Sequence, residues 1–346
     1  MGTPQFSVAC LEMLIAEHYE VVGVVTQPDR PKGRGSVQTA SPVKLCALAN
    51  GLLVLQPGNA KELYEAAIPL SPDLAVTVAY GGILRAEFLA ALPRGCINVH
   101  ASLLPNYRGP SPIHQALLNG DAKTGVTTML TDIGIDTGGI LLSREMEIPP
   151  DLYFTDLHDQ LSVLGAEVLK ETIPPYWNGL LQPVPQDESL ASRTPILKKN
   201  AGILDFGDSA QRIANQVRAL NPWPGTTTQL NGKAVKILRA QAAEDDWQPP
   251  QAIAEERGNA GFCGTKLCGE IVGISKEAIT VRCGIGFLCV TRIQFQNGKE
   301  MDIAACWHNL RTGWVFGSCS GGKDGSGTGN HDHGSNSGGM ERKFGQ

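Results

Sequence analysis

Two kinds of apolar pattern alternate through the first half of this chain, and that alternation constrains its fold more than any other feature. Short runs rich in β-branched and other apolar residues fall at 21–26, 52–55, 74–79 and 96–99. Helix-period patterns occupy 8–17, 42–49, 60–67 and 85–92. Strands that are apolar without a polar alternate face are buried on both sides, and helices between them supply the cover. The expectation is an α/β fold with a parallel sheet, which the runs at 126–130 and 140–148 extend. After Thr155, Leu157, Leu161, Leu164, Val168, Leu169 and Ile173 recur at helical spacing. That stripe reads as core packing, and Pro174-Pro175 is expected to end the helix.

Residues 178–200, with Pro183, Pro185 and Pro195, read as a linker closing a first domain at 1–177. From 201 to 317 the pattern changes to one helix at 209–220 and short strands at 226–230, 234–240, 269–274, 278–282 and 286–295. Short strands at such close spacing suggest a small β-barrel. A polar, acidic stretch at 244–264 reads as an insertion. Residues 318–346 are dominated by Gly, Ser, Asn and His, offer almost nothing to bury, and are expected to be disordered.

Composition narrows the function. The longest weakly polar stretch, 74–84, falls far short of the roughly 20 residues that a membrane span requires. Met1-Gly2-Thr3-Pro4-Gln5-Phe6 has neither the basic start nor the apolar run of a signal peptide, so a cytoplasmic protein without membrane contact is expected. Nine cysteines, an odd number with no CxxC pair, argue for reduced thiols and no metal site. The formal net charge of −5 disfavours a basic nucleic-acid binder. One local exception is the stretch from 29 to 44, where Arg30, Lys32, Arg34 and Lys44 face only Asp29. Such a loop is either simply solvated or meets phosphates.

Ligands of open α/β sheets bind beyond the carboxyl ends of the strands. No GxGxxG motif marks a dinucleotide there. Instead, the strand at 96–99 leads through Asn98 and His100, which alternation puts on one side, into Ala101-Ser102-Leu103-Leu104-Pro105. A glycine-punctuated loop carries Asp132 and Asp136. Asn, His and Asp together suit acyl transfer to an amine. The amide can donate to an oxygen gaining charge, the imidazole can donate to it or take a proton, and the carboxylate can orient the ring. Taken singly, a His or an Asp is more often a satisfied structural residue than a catalytic one.

The run Cys96-Ile-Asn-Val-His-Ala-Ser-Leu-Leu-Pro-Asn-Tyr-Arg-Gly109, with 112–113 and 120–127 behind it, resembles the folate-dependent formyltransferases. Supporting stretches are 26–35, 41–44, 136–138 and Asn221-Pro-Trp-Pro224, and the resemblance spans Gly2 to about Ser318. It implies a Rossmann-like formyltransferase domain followed by an OB-fold-like barrel that binds tRNA. It also implies transfer of the formyl group of 10-formyltetrahydrofolate to the α-amino group of methionine on initiator tRNA, by a monomer. Asn98, His100 and Asp136 would be the catalytic three. Ser102, Leu103, Leu104 and Pro105 would contact folate, with the 78–84 backbone lining the pterin pocket. Arg30, Lys32, Arg34 and Lys44 would meet the acceptor stem, Arg34 foremost.

The sequence departs from the family in beginning directly at the Gly-Thr-Pro turn, so the sheet is expected to lack its first strand. Ser36-Val37-Gln38 and Gly139 also differ from the family's habit. Three other readings stay open: a formyltransferase acting on a sugar-nucleotide amine, a hydrolase using water, and a non-catalytic RNA- or folate-binding remnant. The Asn221–Pro224 stretch with its barrel opposes the first two, and the intact Asn98, His100 and Asp136 oppose the third.

Overall fold

A computed structural model of the chain describes residues 1–32, 37–243 and 267–317. The expected insertion at 244–264, up to its last residue, and the expected disordered tail lie outside the described residues. The first half runs α1 (Val8–Ala16), β1 (Val24–Val25), β2 (Arg30–Lys32), β3 (Val37–Thr39), α2 (Pro42–Ala49), β4 (Val54–Leu55), α3 (Ala60–Ala67), β5 (Ala75–Thr77), α4 (Ala86–Ala90), β6 (Cys96–His100), α5 (Pro112–Asn119), β7 (Lys123–Leu130), β8 (Ile140–Glu147) and α6 (Phe154–Trp177). Local chemistry sets several starts. Ser41 Oγ accepts from Lys44 N with Pro42 in the first turn of α2, and Asn59 Oδ1 caps α3 through Lys61 N and Glu62 N.

The helices at Pro42–Ala49 and Ala60–Ala67 match the periodicity, whereas the strands are shorter than the apolar runs that contain them. The sheet is mixed. β5 and β6 are parallel, but β7 is antiparallel to both β6 and β8. The loop from 131 to 139 that joins β7 to β8 is shorter than the dozen or more residues of a parallel crossover, so the two strands pair as a hairpin. β1 and β4 form a separate parallel pair. Met1 and Gly2 join the two parts: Gly2 N donates to Val25 O at 2.9 Å, Met1 N to Val76 O at 2.7 Å, and Val78 N to Met1 O at 2.9 Å. The place expected for a first strand therefore holds two paired residues, beside a cavity of about 410 Å³ lined by Val25, Leu74, Val76 and Ile173.

Helix α6 carries the expected stripe, with Leu157, Leu161, Val168, Leu169 and Ile173 all buried against the sheet. It does not stop at the prolines. Pro174 and Pro175 lie inside its last turn, and the helix ends at Trp177. The amides they lack remove two bonds, to the carbonyls of residues 170 and 171, and the helix closes one turn later with Asn178 N donating to Pro174 O.

The second half places α7 (Ala210–Leu220) on a curled antiparallel sheet of β9 (Thr227–Leu230), β10 (Lys233–Ala242), β11 (Ile271–Ile274), β12 (Ile279–Arg282), β13 (Phe287–Phe295), β14 (Glu300–Asp302) and β15 (Phe316–Gly317). The strand path is β11-β12-β13-β10-β9-β15. A bridge from Glu270 to Val315, with Ile271 N donating to Trp314 O at 2.8 Å, brings its two ends together, an OB-like arrangement. Leu204, Ile213, Val217, Ile237, Val281 and Ile293 fill its core. Among the described residues, no helix is long and apolar enough to cross a membrane.

Candidate active site

β6 lies between β5 and β7, so its carboxyl end opens into a cleft rather than onto a sheet edge. Asn98 stands opposite Thr77 of β5, and His100 opposite Thr127 of β7. Thr77 Oγ1 donates to Asn98 Oδ1 at 3.0 Å, which orients the amide and turns Nδ2 toward Asp136 Oδ1 at 3.4 Å. One hydrogen of that nitrogen is left for another acceptor.

His100 is buried, with Nε2 3.0 Å from the carbonyl of Tyr107. A carbonyl only accepts, so Nε2 carries a proton. Nδ1 lies 3.6 Å from Asp136 Oδ2 and is where a second proton can arrive and leave beside a carboxylate. Asp136 itself comes from the β7–β8 loop. Its backbone is left-handed, φ 54°, which costs a non-glycine residue about 1–2 kcal/mol. The side chain recovers part of this by accepting from Gly109 N at 2.7 Å. Two loops and one strand thus converge on a single carboxylate, and the structure brings together all three residues expected to be catalytic.

The cleft at this point holds about 880 Å³, within the range of small-molecule sites. Asn98, His100 and Asp136 line it, as do Ala79 to Leu84, where the pterin pocket is expected, and Ile133 and Ile135. Ile83, Ile133 and Ile135 are exposed apolar tips at its mouth. Ser102 to Pro105 do not line it. Ser102 and Leu104 are buried beneath, with Leu104 N donating to Thr127 Oγ1 and Ser102 Oγ to Asn106 O. Their geometry supports the loop that carries Tyr107 and Gly109.

Sequence reasoning missed the far wall of the cleft. His114 stacks on Phe154 with ring centroids 4.0 Å apart, and His158 stands 5.6 Å from the same ring. Burial, then the neighbouring His158, pushes the His114 imidazole down to about 4. The α6 stripe was legible as core, but Phe154 and His158 lie off it, on the face turned to the cleft.

The basic stretch forms a hairpin, with β2 and β3 antiparallel and Arg30 opposite Thr39. Arg30 is exposed, Lys32 is within β2, and Arg34 lies outside the described residues. Lys44 is not free to roam. Its Nζ donates to Asp29 Oδ2 at 2.6 Å and to Gln56 Oε1 at 2.7 Å, and the Lys44 contact first, then Gln56 Nε2 donating to Asp29 Oδ1 at 2.8 Å, hold the Asp29 carboxyl below its usual value.

The family described as formyl transferase matches residues 1–173, and its C-terminal domain matches residues 196–311. A methionyl-tRNA formyltransferase of Ruminiclostridium cellulolyticum is 45% identical over 88% of this chain and 93% of its own length. The chain belongs to the formyl transferase family. Another methionyl-tRNA formyltransferase, from Acetivibrio thermocellus, is 41% identical over 92% of this chain and 98% of its own. Among solved structures, an N-formyltransferase from Helicobacter canadensis with folinic acid and dTDP-3-aminofucose shares the fold. Its TM-score is 0.60 at 20% identity, with 84% of this chain and 96% of that one covered. HypX from Aquifex aeolicus matches with a TM-score of 0.53 over 76% of this formyl transferase and 43% of its own chain.

Proposed function

We infer that this formyl transferase moves the formyl group of 10-formyltetrahydrofolate to the α-amino group of methionyl initiator tRNA. What carries the reading is the similarity to methionyl-tRNA formyltransferases at 41–45% identity across both domains, nearly end to end. The geometry supplies a matching chemistry. The amine nitrogen attacks the formyl carbon, the new C–N bond forms, the carbonyl oxygen gains negative charge, and the bond to N10 of the folate breaks. Asn98 Nδ2 supplies the donor for that oxygen, held in place by Thr77. The amine must lose a proton and N10 must gain one. His100 Nδ1 and Asp136, 3.6 Å apart, form the pair that passes it. Neither step needs a protein nucleophile, because the acceptor brings its own nitrogen.

The folate fits the cleft by volume and by its rim of Ile83, Leu84, Ile133 and Ile135, with the peptide groups of 79–84 at hand for a pterin ring. Ser102–Pro105 would contribute by shaping that wall. The acceptor stem would meet Arg30, which is exposed, together with Lys32 and Arg34. Lys44, tied to Asp29, would contribute less. The protein would work as a cytoplasmic monomer divided at 1–177, 178–200 and 201–317, and its small basic surface would make the grip on tRNA modest, with a slope against salt set by the few phosphates it meets.

The test is formylation of methionyl initiator tRNA by purified protein with 10-formyltetrahydrofolate, beside His100→Ala. Removing a general acid–base group should lower kcat by about 10²–10⁴-fold. A folded wild-type protein that formylates no charged initiator tRNA refutes the function, and a His100→Ala variant at full rate refutes the site.

A further inference from the structure

Residues between α6 and the second sheet do not simply span the gap. Val184 pairs with Ile140 at the start of β8 through two backbone hydrogen bonds of 2.8 Å. Further on, Arg108 N donates to Ser192 O at 2.9 Å and Thr194 N to Arg108 O at 2.8 Å. The strap is therefore stitched at one end to the β7–β8 hairpin and at the other to the loop after β6. Those are the two loops that supply Asp136 and Gly109.

Between the stitches stands Gln186. Its Nε2 donates to the carbonyl of Asp136 at 2.9 Å and to that of Gly138 at 2.7 Å. Its Oε1 accepts from Arg108 Nε at 2.9 Å. Arg108 is 1% exposed and closes on Glu188 with both terminal nitrogens, at 2.9 and 2.7 Å. The carboxyl of Glu188 is held below its usual value, by this contact first. Held by its bidentate contact with Glu188, the guanidinium presents Nε to Gln186 and fixes which end of that amide faces the loop. With its oxygen committed to Arg108, the nitrogen must face the two carbonyls.

We propose that Gln186, oriented by Arg108, is a positioning residue for the formyl transfer. It holds the backbone at Asp136 in its left-handed conformation, and thereby holds the carboxylate toward His100 and Asn98. The proposal rests on the reading of Asp136 as part of the reacting set. It goes beyond that reading by making the interdomain strap a working part of the site.

The experiment compares Gln186→Met, of similar length but without a donor, with Arg108→Lys and Asp136→Asn. Steady-state formylation is measured across pH and normalised to folded protein. Loss of the clamp displaces the carboxylate without touching either substrate. We expect kcat of Gln186→Met to fall by up to about 10²-fold, the scale for a misplacement near 1 Å, at unchanged KM for both substrates. The kcat–pH profile should also shift, because the carboxylate no longer sits at a fixed distance from His100. Arg108→Lys, which keeps the charge but not the fork, should move the same parameters in the same direction. Asp136→Asn inactive beside a fully active Gln186→Met overturns the clamp and leaves the site reading standing. A raised KM with unchanged kcat overturns it too. Full activity in Asp136→Asn overturns the site reading itself.

Discussion

His114 offers a pH dependence that the geometry makes specific. The ring, carried by α5, is partly buried against Phe154, and burial is the first cause that takes it from 6.5 to about 4, with His158 second. The unfolded chain therefore binds a proton at a higher pH than the folded one does. The stabilisation is complete above the unfolded value of 6.5 and disappears as pH falls through 4. With 1.36 kcal/mol per unit, the whole effect is at most about 3 kcal/mol, and about 2 kcal/mol of it is already gone at pH 5. His114→Phe keeps a ring against Phe154 and removes the titration. Urea unfolding at pH 7 and pH 5 should show the wild type losing about 2 kcal/mol more than the variant over this interval. An NMR titration of the His114 ring gives the folded value directly. Equal losses in the two proteins, or a ring that titrates near 6.5, would sink the reasoning.

Two further outcomes follow from contacts around the site. Thr77→Val removes the donor that orients the Asn98 amide at 3.0 Å; leaving that oxygen unpaired should cost about 1–3 kcal/mol of transition-state stabilisation, read as a lower kcat/KM with folate binding unchanged. Arg30→Ala should weaken tRNA use and flatten its salt dependence more than Lys44→Ala does, because Asp29 already neutralises Lys44, and a salt titration of kcat/KM for the tRNA ranks the two.

Much of this arrangement was legible in the residues. Strand alternation alone put Asn98 and His100 on one side, and the helix stripe from Leu157 to Ile173 marked the core face of α6. Ranking Asp136 with them took more than spacing, since a residue 36 positions beyond His100 reaches it only through a hairpin loop. The antiparallel course of β7 was hidden because apolar runs carry no direction. Pro174 and Pro175 misled because the sequence pattern did not show that they fall in the last turn, where the bonds their missing amides would make to residues 170 and 171 are lost but little helix remains to be disrupted. Gln186 left no signal, and Arg108, although inside the run ending at Gly109, gave none of the partner it orients. A glutamine in a proline-rich stretch has the composition of a solvated linker, and only the folded chain shows two carbonyls waiting for its nitrogen.

The strap changes what a modular description of the chain means. The family match to the first half ends at residue 173, before Gln186 and Glu188, so the loops bearing Gly109 and Asp136 draw part of their support from chain that neither this match nor the one beginning at 196 contains. The same strap leads on to α7, which packs on the second sheet. A boundary drawn by sequence similarity would sever the loop that bears Asp136 from its anchor. Exchange of the barrel for another module would have to preserve residues 178–195 as property of the enzyme's first half. The stretch that the family models match and the stretch that the loop bearing Asp136 leans on do not coincide.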